Sequence, residues 1–263
     1  MAVFTALSWF GRKNDQYVRE IWDSLGSDNV WNRKNLRRPY YRKNGYIMYP
    51  LVQPSDLRKF LLERVVEQKI IWDDLYTKTG DILNEQYRTI LEKEIEDEEM
   101  QGLINDIWSS FIGNLIHNRS LLLFAQRDYI NENFSDFNQL ETLEDTNAPW
   151  DWDHIYPQSW VSGKWYVDKN VRHWTYTIGN IRAISLKDNR SENNRESPSE
   201  RLKSVKTESF IKDNDWEYWS KTTDRIYEDQ HKEIKIYLSA VINRLCNVYE
   251  EWYNNLTIGD MFN

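Results

Sequence analysis

Apolar positions recur at helical spacing over most of this chain. Near the C-terminus, Ile234, Leu238, Val241, Leu245, Val248 and Trp252 follow one another at steps of four, three, four, three and four. That is one stripe of an amphipathic helix of about 25 residues. It spans too few heptads to require a second chain, so it is expected to pack on the protein's own core. Helices are also expected over residues 3–25, 55–69, 81–99 and 101–133. The helix over 55–69 opens after Pro54, with Ser55 as its N-cap. The helix over 101–133 holds the apolar stretch LINDIWSSFIGNLIHNRSLLLFAQRDYI.

Residues 148–206 break this rhythm. They are rich in Trp, Asn and other polar residues, and no helical period returns until about residue 188. Two short strands are expected, around 152–155 and 181–186. The second, IRAISL, alternates and is β-branched. A polar stretch with Pro198 follows it, so the local order reads strand, long loop, strand, helix. The chain is therefore expected to be α+β and predominantly helical. It divides into a helical scaffold over 1–147, a mixed core over 148–206 and a C-terminal helical region over 207–263.

Composition bounds the class. The chain has 263 residues, with 40% hydrophobic and 29% charged, as ordinary globular proteins do. No apolar run approaches the roughly 18–20 residues of a membrane span. The apolar patch at the N-terminus lacks a basic lead and a cleavage site, so it reads as a buried helix start. A single cysteine, Cys246, excludes an intrachain disulfide and a multi-cysteine zinc site. It lies in the C-terminal helical pattern and reads as a structural thiol in a reducing, cytoplasmic setting.

Charge adds a complication. Lys and Arg number 34 and Asp and Glu 42, for a net charge of −8, which is not the footprint of a general nucleic-acid binder. The acidity is local, however. Residues 71–149 carry 5 basic and 17 acidic side chains, and 207–263 carry 6 and 11. Residues 1–70 carry 13 and 7, and 150–206 carry 10 and 7. The run EKEIEDEEM reads as a solvated helix face.

The mixed segment also holds candidate chemistry. Hydrolysis of a phosphodiester needs a base for water and stabilisation of charge on phosphate. Asp153 and His154 are adjacent, and in a strand their side chains face opposite ways. Asn180 follows Gly179, and Asn189 comes nine residues later. Each has an ordinary structural reading: Asp153 as a cap, Asn180 as a turn residue, Asn189 as an N-cap.

The strings DWDHIYPQSW and IGNIRAISLKDNRSENNRESPSERL resemble the HNH (ββα-metal) nuclease motif. The DHIxPQS core, the Asn180–Asn189 step and the trailing Pro198, Ser199 and Glu200 are similar to the HNH domain of RNA-guided CRISPR effector nucleases. Over residues 120–205 the chain resembles more closely the C-terminal HNH region of GmrSD-type modification-dependent restriction nucleases and SspE-like phage-defence nickases. The 25 residues between the motif halves, 155–179, read as a family-specific insertion bearing Trp160, Trp165 and Trp174.

The resemblance implies a helical scaffold around a ββα-metal unit and metal-dependent nicking of DNA in a restriction or anti-phage system. His154 would be the general base. Asp153 and Asn189 would hold Mg²⁺ or Mn²⁺, and the Asn180 amide would pin the loop that orients His154. The products would carry 5′-phosphate and 3′-hydroxyl ends. In the resembling proteins a nucleotide-dependent domain precedes this region. No P-loop or Asp-Gly-Gln-Gln-Arg string occurs here, so an N-terminal sensor or NTPase domain, or a separate sensor subunit, is expected as partner. The competing class is an inactive HNH-shaped module that binds DNA or a partner subunit. The motif does not discriminate DNA from RNA.

Around this core, Lys187, Arg190 and Arg195 either hold DNA phosphates or solvate the surface. Asn193 ranks behind Asn189. His173 reads as a loop residue, and His117 and His231 as structural. Trp150, Trp152 and Trp160 read as rigid core under a small site. The basic, aromatic stretch over 32–46 suits either backbone neutralisation with stacking or packing on an acidic neighbour.

Overall fold

The computed structural model describes residues 40–42, 45–47, 52–68, 75, 108–109, 111–134, 149–185 and 196–261. The helices expected over 3–25 and 81–99 lie outside the described residues. So do Lys187, Asn189, Arg190, Asn193 and Arg195.

The described chain is mostly helical, with two small sheets of two strands each. It divides into two compact units. The first holds β1 (Tyr40–Arg42) and β2 (Gly45–Ile47), which pair antiparallel with Tyr41 opposite Tyr46. This hairpin was not expected from the sequence, where basic charge masked a short aromatic alternation around Asn44-Gly45. The same unit includes most of α1 (Pro54–Leu61). Trp108 is buried there, edge-on to Phe60 at 4.9 Å, and its indole N–H donates to Leu75 O.

The second unit carries the mixed segment and most of the C-terminal region. The helix expected over 101–133 is interrupted here. Residues 111–116 are helical, then the chain restarts as α2 (Arg119–Ala125) and α3 (Arg127–Asn133). The first break has a local cause: Asn118 takes extended geometry, and its side chain accepts from Ser120 N and Leu121 N as an N-cap. The second break falls at Gln126, whose side chain is drawn to the sheet.

That sheet is β3 (Trp150–His154) against β4 (Ile181–Ser185), antiparallel, with Asp153 opposite Arg182 and His154 opposite Ile181. Only one edge of β4 is used by β3. On the other, the Gln126 amide accepts from Ala183 N and donates to Ala183 O, and the Tyr129 hydroxyl accepts from Ser185 N. Side chains of the AQRDY string thus stand in for a third strand and satisfy an edge that would otherwise be open.

The loop between β3 and β4 contains an unexpected helix, α4 (Lys169–Thr175). Seven residues are too few to show a periodic stripe, but Asp168 caps the helix by accepting from Asn170 N and Val171 N. Past β4, α5 (Pro198–Leu202) begins with a capping box between Ser197 and Glu200. α6 (Asp213–Trp219) and α7 (His231–Asn255) complete the unit.

The expected stripe residues of α7 are all buried, yet the helix is more than amphipathic: every residue from Tyr237 to Tyr249 is buried. A helix enclosed on all sides must satisfy its polar groups inside. Arg244, fully buried, does so by donating to the carbonyls of Ile178, Gly179, Ile181 and Ser209. α7 therefore ties together the chain entering β4. The approach is close enough that a Cβ on Gly179 would lie 2.3 Å from Val241 O. No helix among the described residues is long and apolar enough to cross a membrane.

Candidate functional site

β3 and the turn after it position the first pair of candidates. Alternation sends Asp153 and His154 to opposite faces, and their surroundings differ accordingly. Asp153 is buried, with one carboxylate oxygen accepting from Arg182 Nε at 2.9 Å and the other from Arg201 Nη2 at 2.7 Å. Arg182 also donates to Ser209 Oγ, and Arg201 to the carbonyls of His154 and Ile155. Arg201 is supplied by α5, so the capping box that starts this helix also aims the guanidinium at β3. Breaking such a buried arrangement costs far more than an exposed ion pair, because the remaining charges stay desolvated.

His154 ends β3 and is half-buried, with its ring edge-on to Tyr176 at a centroid distance of 5.9 Å. Its Nε2 is buried and, among the described residues, has no hydrogen-bond partner. Burial lowers its pKa below the ordinary imidazole value. The Asp153 charge opposes that shift, and those of Arg119 and Arg201 reinforce it. The ring is thus held neutral near pH 7, the state in which imidazole accepts a proton.

Asn180 is fully buried. Its carbonyl oxygen accepts from Tyr156 N at 2.8 Å, and its amide donates to Tyr156 O and Thr175 O. Its backbone O also accepts from Ile155 N. One side chain thereby clamps the turn just beyond His154 to the segment entering β4. Gly179 and Asn180 are coupled: the glycine admits α7, and the asparagine locks the turn.

A divalent ion, implied by the resemblance, would draw on the Asp153 carboxylate. A carboxylate offers about four acceptor positions on its two oxygens. Two are filled by arginines, so capacity remains, shared with two positive charges. The second implied ligand, Asn189, lies outside the described residues. Among the described residues no three of His, Cys, Asp or Glu gather to hold a metal.

Other sequence candidates fall in varied places. Trp150 and Trp160 are buried, while Trp152 is half-exposed. In the insertion, Trp174 is buried and Trp165 is 81% exposed. His173 and His231 are exposed on α4 and α7. His117 sits at the break before α2, bonded to the carbonyl of Tyr176, the residue whose ring meets His154. Sequence reasoning passed over Arg182, Arg201, Gln126 and Arg119. Arg201 had a signal, since Ser197-Pro198-Ser199-Glu200 announces a helix start next to it. The others sat inside helix or strand patterns with nothing to mark them. Compared with protein-family models, curated proteins and solved structures, this chain matches none.

Proposed function

We propose that this chain carries an HNH-type nuclease unit that hydrolyses phosphodiester bonds of DNA, nicking one strand, within a restriction or anti-phage system. The observation that most supports this reading is the clamp of Asn180 on the turn after His154. It holds a neutral imidazole at a strand end, where a proton acceptor for water is needed. In this reading β3 and β4 are the two strands of the unit, and its helix is the one expected to carry Asn189, which lies outside the described residues. A Mg²⁺ or Mn²⁺ ion on Asp153 and Asn189 would supply neutralisation of phosphate charge. Lys187, Arg190 and Arg195 hold the DNA backbone, and a sensor or NTPase domain or subunit delivers the DNA.

The test is relaxation of supercoiled plasmid, with RNA in parallel. Wild type is expected to nick in Mg²⁺ or Mn²⁺ and to stop in EDTA. His154→Ala is expected to be inactive with an unchanged melting temperature. Nicking by His154→Ala at the wild-type rate sinks the assignment.

The two guanidiniums on Asp153 favour a second reading, in which the unit is an inactive module that binds DNA or a partner subunit. Metal-independent, salt-sensitive retention of DNA without cleavage would be its mark.

A further inference from the structure

Strand alternation places Trp152 on the same face of β3 as His154, two residues earlier. Over the Trp152 ring, 4.9 Å from its centroid, lies the guanidinium of Arg119, the first residue of α2. Arg119 is exposed, and among the described residues no carboxylate pairs with it. A guanidinium over an aromatic ring uses none of its five N–H donors on a hydrogen-bond acceptor there, so they can still reach a ligand. Two of them side by side match two oxygens of a phosphate. Arg119 is also close enough to depress the pKa of both His154 and His117. The face with the candidate base therefore carries an exposed cation held over an aromatic ring.

We propose that Arg119, seated on Trp152, is the phosphate-binding residue of the His154 site and takes a backbone phosphodiester of the nucleic-acid strand. This rests on the nuclease reading for its substrate class. A guanidinium fork here would draw the phosphate toward the imidazole and offset charge as water attacks. Asp153, an anion paired with Arg182 and Arg201, does not take this role.

Two measurements on the full chain test it. In the first, oligonucleotide binding by His154→Ala is followed by fluorescence anisotropy across a salt series, with and without Arg119→Ala. Loss of Arg119 should weaken binding about tenfold and lower the slope of log affinity against log salt by about one. Arg119→Lys should keep the slope while losing part of the affinity. In the second, Arg119→Ala in the otherwise wild-type chain should reduce plasmid nicking about 100-fold, with melting temperature unchanged.

The two ideas fail separately. Undetectable binding by His154→Ala, or binding unaffected by removal of Arg119, overturns the Arg119 proposal whatever the plasmid shows. A chain that binds through Arg119 but cleaves neither DNA nor RNA in any metal keeps the proposal and removes the nuclease reading. Full nicking by Arg119→Ala removes the proposal and keeps the reading.

Discussion

The Asp153 carboxylate is the point where structural and chemical demands compete most directly. It neutralises two buried arginines, one from the paired strand and one from α5. Asp153→Ala should therefore destabilise the chain by about 3–5 kcal/mol, read as a shift of the urea midpoint. Its loss of nicking would then report unfolding as well as any metal site. His154→Ala carries no such cost, so the pair of variants, melted and assayed together, separates fold from chemistry. Asp215 presents the opposite case. It is fully buried, its Oδ1 has no partner among the described residues, and burial pushes its pKa up to about 6 despite Arg244 and the Asn247 amide. The folded state then keeps a proton that the unfolded chain releases near pH 3.8. The stability this group contributes is present below that value, and it falls as pH rises to about 6. The loss amounts to about 3 kcal/mol. Urea melts between pH 4 and 7 should show this slope in wild type and a flatter one in Asp215→Asn. Equal slopes would show that Asp215 is not the titrating group.

Among the elements, β4 depends on neighbours that are not strands. Its register with β3 follows from alternation, and the sequence placed both strands within two residues of where they lie. Its second edge and its entry do not follow from alternation. Gln126 and Tyr129 cover the edge, and Arg244 gathers the carbonyls at the entry. Gly179→Ala would push a methyl into the α7 backbone at Val241. It should cost about 1–3 kcal/mol or displace the turn that Asn180 clamps. The expected readout is a lower melting temperature with nicking impaired beyond the loss of folded protein. A variant as stable as wild type would show that α7 yields easily at this point. Gln126→Leu should likewise destabilise, since it strips Ala183 of both its side-chain partners.

Across the whole molecule, the net charge of −8 is a sum over regions of opposite sign, and tertiary structure complicates it further. Three arginines, Arg182, Arg201 and Arg244, and two aspartates, Asp153 and Asp215, are buried in the second unit. These basic residues serve the fold and offer nothing to DNA from the surface. A chain of this balance should bind random duplex weakly and lose activity steeply with salt. Tight binding at physiological salt would contradict that view. What the sequence determined by itself was the local part: the predominantly helical α+β class, the two strands and the apolar stripe of α7, each set by neighbours within a few residues. It also singled out Asn180 through the resemblance, although the clamp on Tyr156 joins residues 24 positions apart. Tertiary structure alone decided which arginines are buried, that Gln126 closes a sheet edge, and that Arg119 lies over Trp152 beside His154. Those facts come from contacts between residues 27 to 66 positions apart. Long-range pairing of that kind leaves no periodicity in a single chain, because it depends on how the elements pack and not on the pattern within any one of them.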